Sequence, residues 1–220
     1  MKSTSRSVQT EVDTFLAYLL NAEIALYVTR VANNGSRVSW HPHNPNMKLI
    51  DYRKPPSLME YRKWVEAGAY SALLFDGALL QVTYDIAGGN LVGHRLAYIP
   101  CPFDVDLGLL QEEPVLDVLD IYAAGNPAEV VLKSAIRFDF DLSAASTSHP
   151  AAHLTINSMH CRIACLAPLR LGHFADFVFR HFYPDLWKAH SYFDSLSRND
   201  WGRSTLTEDE ARRMHVSWRS

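Results

Sequence analysis

The side chains that could do chemistry crowd into one stretch, VVLKSAIRFDFDLSAASTSHPAAHLTINSMHCRIAC, residues 130–165. Arg137, Asp139 and Asp141 fall at alternate positions, as do His153, Thr155 and Asn157, and Arg162 follows a short gap later. Alternate positions of a strand share one face. An imidazole, carboxylates and guanidiniums on one sheet face are the groups that metal-free cleavage of a phosphodiester needs. His153 would move the proton, Arg137 and Arg162 would stabilise the pentacovalent phosphate, and Asp139 would orient the imidazole. Asp141, His149 and Asn157 would complete the face as binding residues. The competing reading is structural. Arg137, Asp139, Asp141 and Arg162 pair across strands, each pair contributing roughly a few tenths of a kcal/mol, and His153 hydrogen-bonds within the sheet.

The elements that must position these groups follow from the alternation. Leu132, Ser134, Ile136, Phe138 and Phe140 share one face of a strand, and Lys133, Ala135, Arg137, Asp139 and Asp141 share the other. A second strand puts Leu154 and Ile156 on the apolar side, and a third runs from Arg162 to Leu166. A four-residue loop, Ser158–Cys161, would set Asn157 opposite Arg162 and Ile156 opposite Ile163, which keeps apolar against apolar. The result is a three-stranded antiparallel unit with one core face and one polar face.

Other constellations are weaker. His149 and His153 are four apart, but Pro150 lies between them and the glutamate of a helical zinc motif is missing. His41 and His43 form an H-x-H pair with no third ligand nearby. The acidic run 103–125 lacks the register of a calcium loop and reads as a solvated face. Cys161 and Cys165 have no base beside them in sequence and read as unreactive thiols. There is no G-x-S-x-G elbow, no phosphate-binding loop and no dinucleotide fingerprint. No metal and no cofactor are expected.

Composition is that of a globular protein: 220 residues, 48% hydrophobic and 20% charged. A net charge of −3 supplies no global attraction to nucleic acid, although a local basic patch is compatible with it. Three cysteines, an N-terminus without an apolar signal segment, and no apolar run of membrane-spanning length together predict reduced thiols, no membrane association and a cytoplasmic location.

Helical spacing covers 8–21, with Val8, Val12, Phe15, Leu16, Leu19 and Leu20 on one stripe; Asn21 would end it, or EIALYVT would continue it. A short strand is expected at Arg37–Trp40. Ser57 and Glu60 form a capping-box spacing for a helix over 57–67. Three strands then form a meander, 71–75, 78–86 and 91–99, turned by Asp76-Gly77 and Gly88-Gly89-Asn90. Pro114 would open a helix reaching Tyr122. Residues 171–182 are apolar over most of a helix circumference, and Pro184 ends that helix. Thr207 and Glu210 cap a short helix, and His215–Trp218 reads as a final edge strand. The fold class is therefore α+β: an antiparallel sheet of five to seven strands, with the N-terminal helices and the 171–182 helix packed on one face. It forms one domain over 1–220, helical over 1–70, sheet over 71–166 and helical over 167–220.

The runs IRFDFD (136–141), HPAAHLTI (149–156), CRIACLAPL (161–169), FADFVFRHFYPDLW (174–187) and TEDEARRMHVSW (207–218) resemble an uncharacterised bacterial family of unknown function, DUF2290, mainly over residues 136–218. Ala164 stands where the family pattern is expected to have proline. The resemblance brings no activity with it. The layout also resembles, at the level of fold alone, small ribonuclease toxins.

Two function classes survive. One is a non-catalytic subunit of a multi-protein system of defence or toxin type, holding a protein partner or a second copy through the exposed sheet face or the aromatic-rich tail. The other is a metal-independent nuclease. The first is preferred, because two arginines beside two aspartates nearly cancel.

Overall fold

The computed structural model describes residues 4–41, 57–124, 133–157, 160–199, 201 and 204–218. Helix α1 (Ser5–Asn21) starts where the Thr4 hydroxyl accepts the Ser7 N–H, and it buries Val8, Val12, Phe15, Leu16 and Leu19. It stops at Asn21. Glu23 takes a φ of 56° and the Ile24 N–H turns back to the Leu19 carbonyl, so the β-branched and aromatic residues beyond form strand β1 (Ala25–Val28) rather than more helix. Strands β2 (Val31–Asn33) and β3 (Arg37–Trp40) follow. The N-terminal part thus holds three strands as well as its helices. Helix α2 (Leu58–Glu66) carries the expected reciprocal capping box of Ser57 and Glu60.

The expected meander is β4 (Ala72–Leu74), β5 (Leu79–Ala87) and β6 (Asn90–Ile99). Gly77 turns its first hairpin at a φ of 82°, a region that a side chain disfavours, and Asp76 Oδ1 accepts the Ala78 N–H there. The acidic segment folds as α3 (Leu107–Glu112) and α4 (Val115–Ala123), with Pro114 at the N-cap of α4. Strands β7 (Ile136–Asp141), β8 (Ala152–Ile156) and β9 (Arg162–Ala164) carry the polar stretch. Helix α5 (Leu171–Phe182) follows. Beyond it, Pro184 is the first residue of α6 (Pro184–Ala189), and α7 (Tyr192–Ser195) and α8 (Glu208–Ala211) follow.

Among the described residues, nine strands form one antiparallel sheet in which seven run in the order β1-β4-β5-β6-β7-β8-β9. The β2–β3 hairpin joins through β3, which pairs with Tyr84 and Asp85 of β5 on the same edge where β4 pairs with Leu79 and Leu80. The alternation of β5 and β6 distributes apolar side chains to both faces. Leu80, Val82, Tyr84, Leu96 and Tyr98 join a cluster with α1 and α5, and Phe179 stacks on Phe193 at 4.3 Å within it. Leu79, Ala97 and Ile99 belong to a second cluster with α2, α3 and α4. The fold is α+β; α1 and α5 share one cluster, whereas α2, expected on the same face, belongs to the other.

The expected register of β8 and β9 is shifted. Thr155 faces Arg162 and Leu154 faces Ile163, so the pairing lies two residues from the Asn157–Arg162 alignment. The cause is Asn157, which takes a φ of 56° and gives its N–H to the Ala135 carbonyl, leaving the ladder. A shift of two keeps every side chain on its expected face, because strand side chains repeat with period two. At the far edge Val216 lies parallel to Cys165. Its N–H donates to the Ala164 carbonyl and its carbonyl accepts the Leu166 N–H, both at 2.8 Å.

Candidate functional site

Antiparallel pairing lines up the polar side chains in rungs across the sheet. Thr83, Arg95, Asp139 and His153 form one rung over β5, β6, β7 and β8. Asp85, Gly93 and Asp141 form the next, extended by Arg37 of β3. Glycine at 93 leaves a gap in that rung. A Cβ there would stand 3.3 Å from both Asp85 Oδ2 and the Phe140 carbonyl. The pairing of β5 with β6 also shifts beyond Asp85, so that Val92 is an extra residue on β6. These two features hollow the surface into a cleft of about 690 Å³, lined by Arg37, Arg95, Arg137, Asp139, His149 and His153 among others.

The charges in the cleft are compensated locally, by guanidiniums on two of the carboxylates and by turn donors on the third. Asp139 receives Arg95 Nε on Oδ1 at 3.0 Å and Arg137 Nε on Oδ2. Arg37 grips Asp85 with two nitrogens, at 2.6 and 2.9 Å. Asp141 folds back into its own turn, accepting the Ser143 N–H and hydroxyl at 2.8 and 2.6 Å. Burial alone would raise the Asp139 pKa, but Arg137 and Arg95 outweigh it and hold the carboxyl below its ordinary value. The Ser143 hydroxyl does the same for Asp141.

His153 is not oriented by Asp139. Its Nδ1 donates to the Pro150 carbonyl at 2.9 Å, which leaves the bare Nε2 of a neutral ring 3.6 Å from Asp139 Oδ2. Two lone pairs face each other there, so the carboxylate serves the arginines instead. Burial pushes His153 down to about 4, and its side chain is 3% exposed. His149 packs edge-on against it with ring centres 4.8 Å apart, and burial lowers its pKa too, followed by the field of Arg162. On the opposite face, His94 Nε2 accepts the Leu169 N–H at 2.8 Å, and burial takes that ring to about 4 as well.

Of the expected site, Arg137, Asp139, Asp141, His149 and His153 meet in the cleft. Arg162 and Asn157 do not line it. Arg162 faces a neighbouring hollow that shares His149 and Leu142 with the cleft, and exposed Asn157 turns off the end of β8. The polar face is also less open than expected: Arg137, Asp139, His153 and Thr155 are all buried. Arg95, Arg37, Asp85 and Thr83 are the residues that reasoning from 130–165 missed. Arg95 had a signal of its own, as the one Lys, Arg, Asp or Glu in the run VGHRLAYI. Of the His41–His43 pair, His43 lies outside the described residues. Among the described residues, no three His, Cys, Asp or Glu side chains are grouped to hold a metal ion, and no helix is long and apolar enough to cross a membrane.

Sheet and cleft together define an α+β protein with a charge-paired hollow on one sheet face. The chain belongs to the family described as Uncharacterized conserved protein (DUF2290), matching it over residues 20–218, well beyond the C-terminal part that carries the recognisable motifs. No curated protein and no solved structure matches it.

Proposed function

We propose that the protein is a non-catalytic subunit that holds a protein partner through the cleft on the polar sheet face. The observation that carries this reading is the state of His153. Its Nδ1 is committed to a backbone carbonyl, its Nε2 faces a buried carboxylate, and 3% of the side chain is exposed. A general base must reach the proton it takes, within hydrogen-bond distance of a bound substrate. This ring has no such access. The charges point the same way, since the cleft lining holds three arginines and three aspartates. A nucleic-acid site needs surplus positive charge to release counterions. Around this balanced floor stand two exposed apolar side chains, Val92 at 42% and Leu142 at 59%. A polar centre with an apolar flank is common in protein interfaces.

The test has two arms. Purified protein is incubated with RNA and DNA, in EDTA and with divalent metals, beside His153→Ala; no cleavage is expected. Extract from the native cells is sized, and the chain should elute above its own 24.9 kDa. Leu142→Asp should return it to monomer size. Cleavage that disappears in the histidine variant, or a native chain that is monomeric throughout, would overturn the reading.

A further inference from the structure

Arg95 and Arg37 are held differently in the cleft. Its Nε is held by Asp139, but its two terminal nitrogens make no hydrogen bond among the described residues. Arg37, by contrast, uses Nε and one terminal nitrogen on Asp85. The Arg95 side chain is 29% exposed and lines the cleft beside the gap at Gly93. A guanidinium anchored at Nε presents its remaining N–H groups as a planar pair of donors, already oriented. The anchoring matters, because less rotamer freedom is lost when a ligand arrives.

We infer that Arg95 is the anchor point for a carboxylate side chain of the partner, an aspartate or glutamate carried on a segment whose flanking residues are apolar. This rests on the partner-binding reading above and names the chemistry of its central contact. A planar monoanion matches the planar donor pair. The surroundings decide between a carboxylate and a phosphate group. Asp85, Asp139 and Asp141 all line the same cleft, and like-charge repulsion grows with the charge brought in. A phosphate carrying nearly two charges meets that repulsion more strongly than a carboxylate carrying one. Thr83, the neighbour of Arg95 on β5, shares its hydroxyl with Ser39 at 2.8 Å and adds a neutral wall. Val92 and Leu142 supply apolar contact for the residues on either side of the acid.

The experiment titrates the intact protein with a blocked Leu-Glu-Leu peptide, the Leu-Gln-Leu counterpart and inorganic phosphate, following the arginine side-chain Nε–H resonances by NMR. The Arg95 signal is assigned by its loss in Arg95→Lys. Saturable movement of that signal with the glutamate peptide is expected, with weaker binding of phosphate and of the glutamine peptide. Arg95→Gln should weaken the glutamate peptide by about tenfold or more. Arg95→Lys, which keeps the charge but not the planar fork, should weaken it too. Arg62→Gln, remote from the cleft and paired with Asp120, should leave binding unchanged. A thermal midpoint recorded for each variant separates lost binding from lost fold. Peptide binding that ignores Arg95→Gln, tighter binding of phosphate, or no movement of the Arg95 signal would overturn the inference. The titration needs no partner, so its failure is distinct from that of the sizing experiment. An assembly broken by Leu142→Asp but indifferent to Arg95→Gln would remove the anchor and leave the subunit reading in place.

Discussion

Arg95 and Asp139 face each other directly across β6 and β7, Nε to Oδ1 at 3.0 Å, while Arg137 on the same strand takes the other oxygen. One carboxylate therefore compensates two guanidiniums in a largely dehydrated place. Removing it leaves buried positive charge without a counterpart, which costs about 3–5 kcal/mol in such settings. Asp139→Ala should lower the unfolding free energy measured in urea by that much. Arg95→Gln should cost clearly less, because the Arg95 side chain is 29% exposed and Arg137 still serves the aspartate. Equal losses in the two variants would contradict this account.

The buried imidazoles make stability depend on acid. His94 and His153 have an ordinary value of 6.5 and are both taken to about 4 by burial. As pH falls below about 6.5, the unfolded chain binds protons that the folded chain refuses. Stability then falls with pH, by up to about 1.4 kcal/mol per unit for each ring, until the folded rings protonate near 4. The lowered pKa of Asp139 adds its loss only at still lower pH, below the ordinary carboxylate value of 3.8. Urea midpoints recorded across this window should slope accordingly. His153→Asn, which keeps a donor for the Pro150 carbonyl, should reduce the slope by about half.

Helix α5 begins against another piece of backbone. A Cβ at Gly172 would stand 2.4 Å from the Ser197 carbonyl oxygen and 3.0 Å from its carbon. Backbone cannot rotate away as a side chain can. Gly172→Ala should destabilise by about 1–3 kcal/mol in spite of the better helix propensity of alanine. A neutral or stabilising result in chemical denaturation would show that the 196–197 segment yields freely.

The three thiols should react in two groups. Cys161 is exposed, whereas Cys101 and Cys165 are buried and burial pushes their pKa up to about 11 and about 12. The thiolate is the reacting species. A disulfide reagent should label one cysteine of the native protein quickly and all three only after denaturation. Rapid native labelling of more than one would mean that the sheet opens.

Local signals in the sequence were read well where local physics dominates. Ser57 with Glu60 and Thr207 with Glu210 cap helices as their spacing predicts, and Asp76-Gly77 turns a hairpin. The alternation in 136–141 assigned Arg137 and Asp139 to one face correctly, because period two survives any shift of two residues in register. What was illegible lay between distant segments. Arg95 and Asp139 are 44 residues apart in the chain, so their pairing depends on which strands neighbour each other. The partner of His153 Nδ1 is three residues away, yet it depends on the loop path at Pro150 rather than on residue type. The left-handed turn at Asn157 likewise set a register that pattern alone could not choose.

The contact between Val216 and strand β9 has a consequence for handling this protein. An uncovered strand edge is a template that any other extended chain can extend. Here the tail closes that template with its own backbone, over Ala164 and Leu166. Purification tags or truncations that tug on the last residues should therefore cost solubility before they cost fold, with molecules pairing edge to edge along the freed strand.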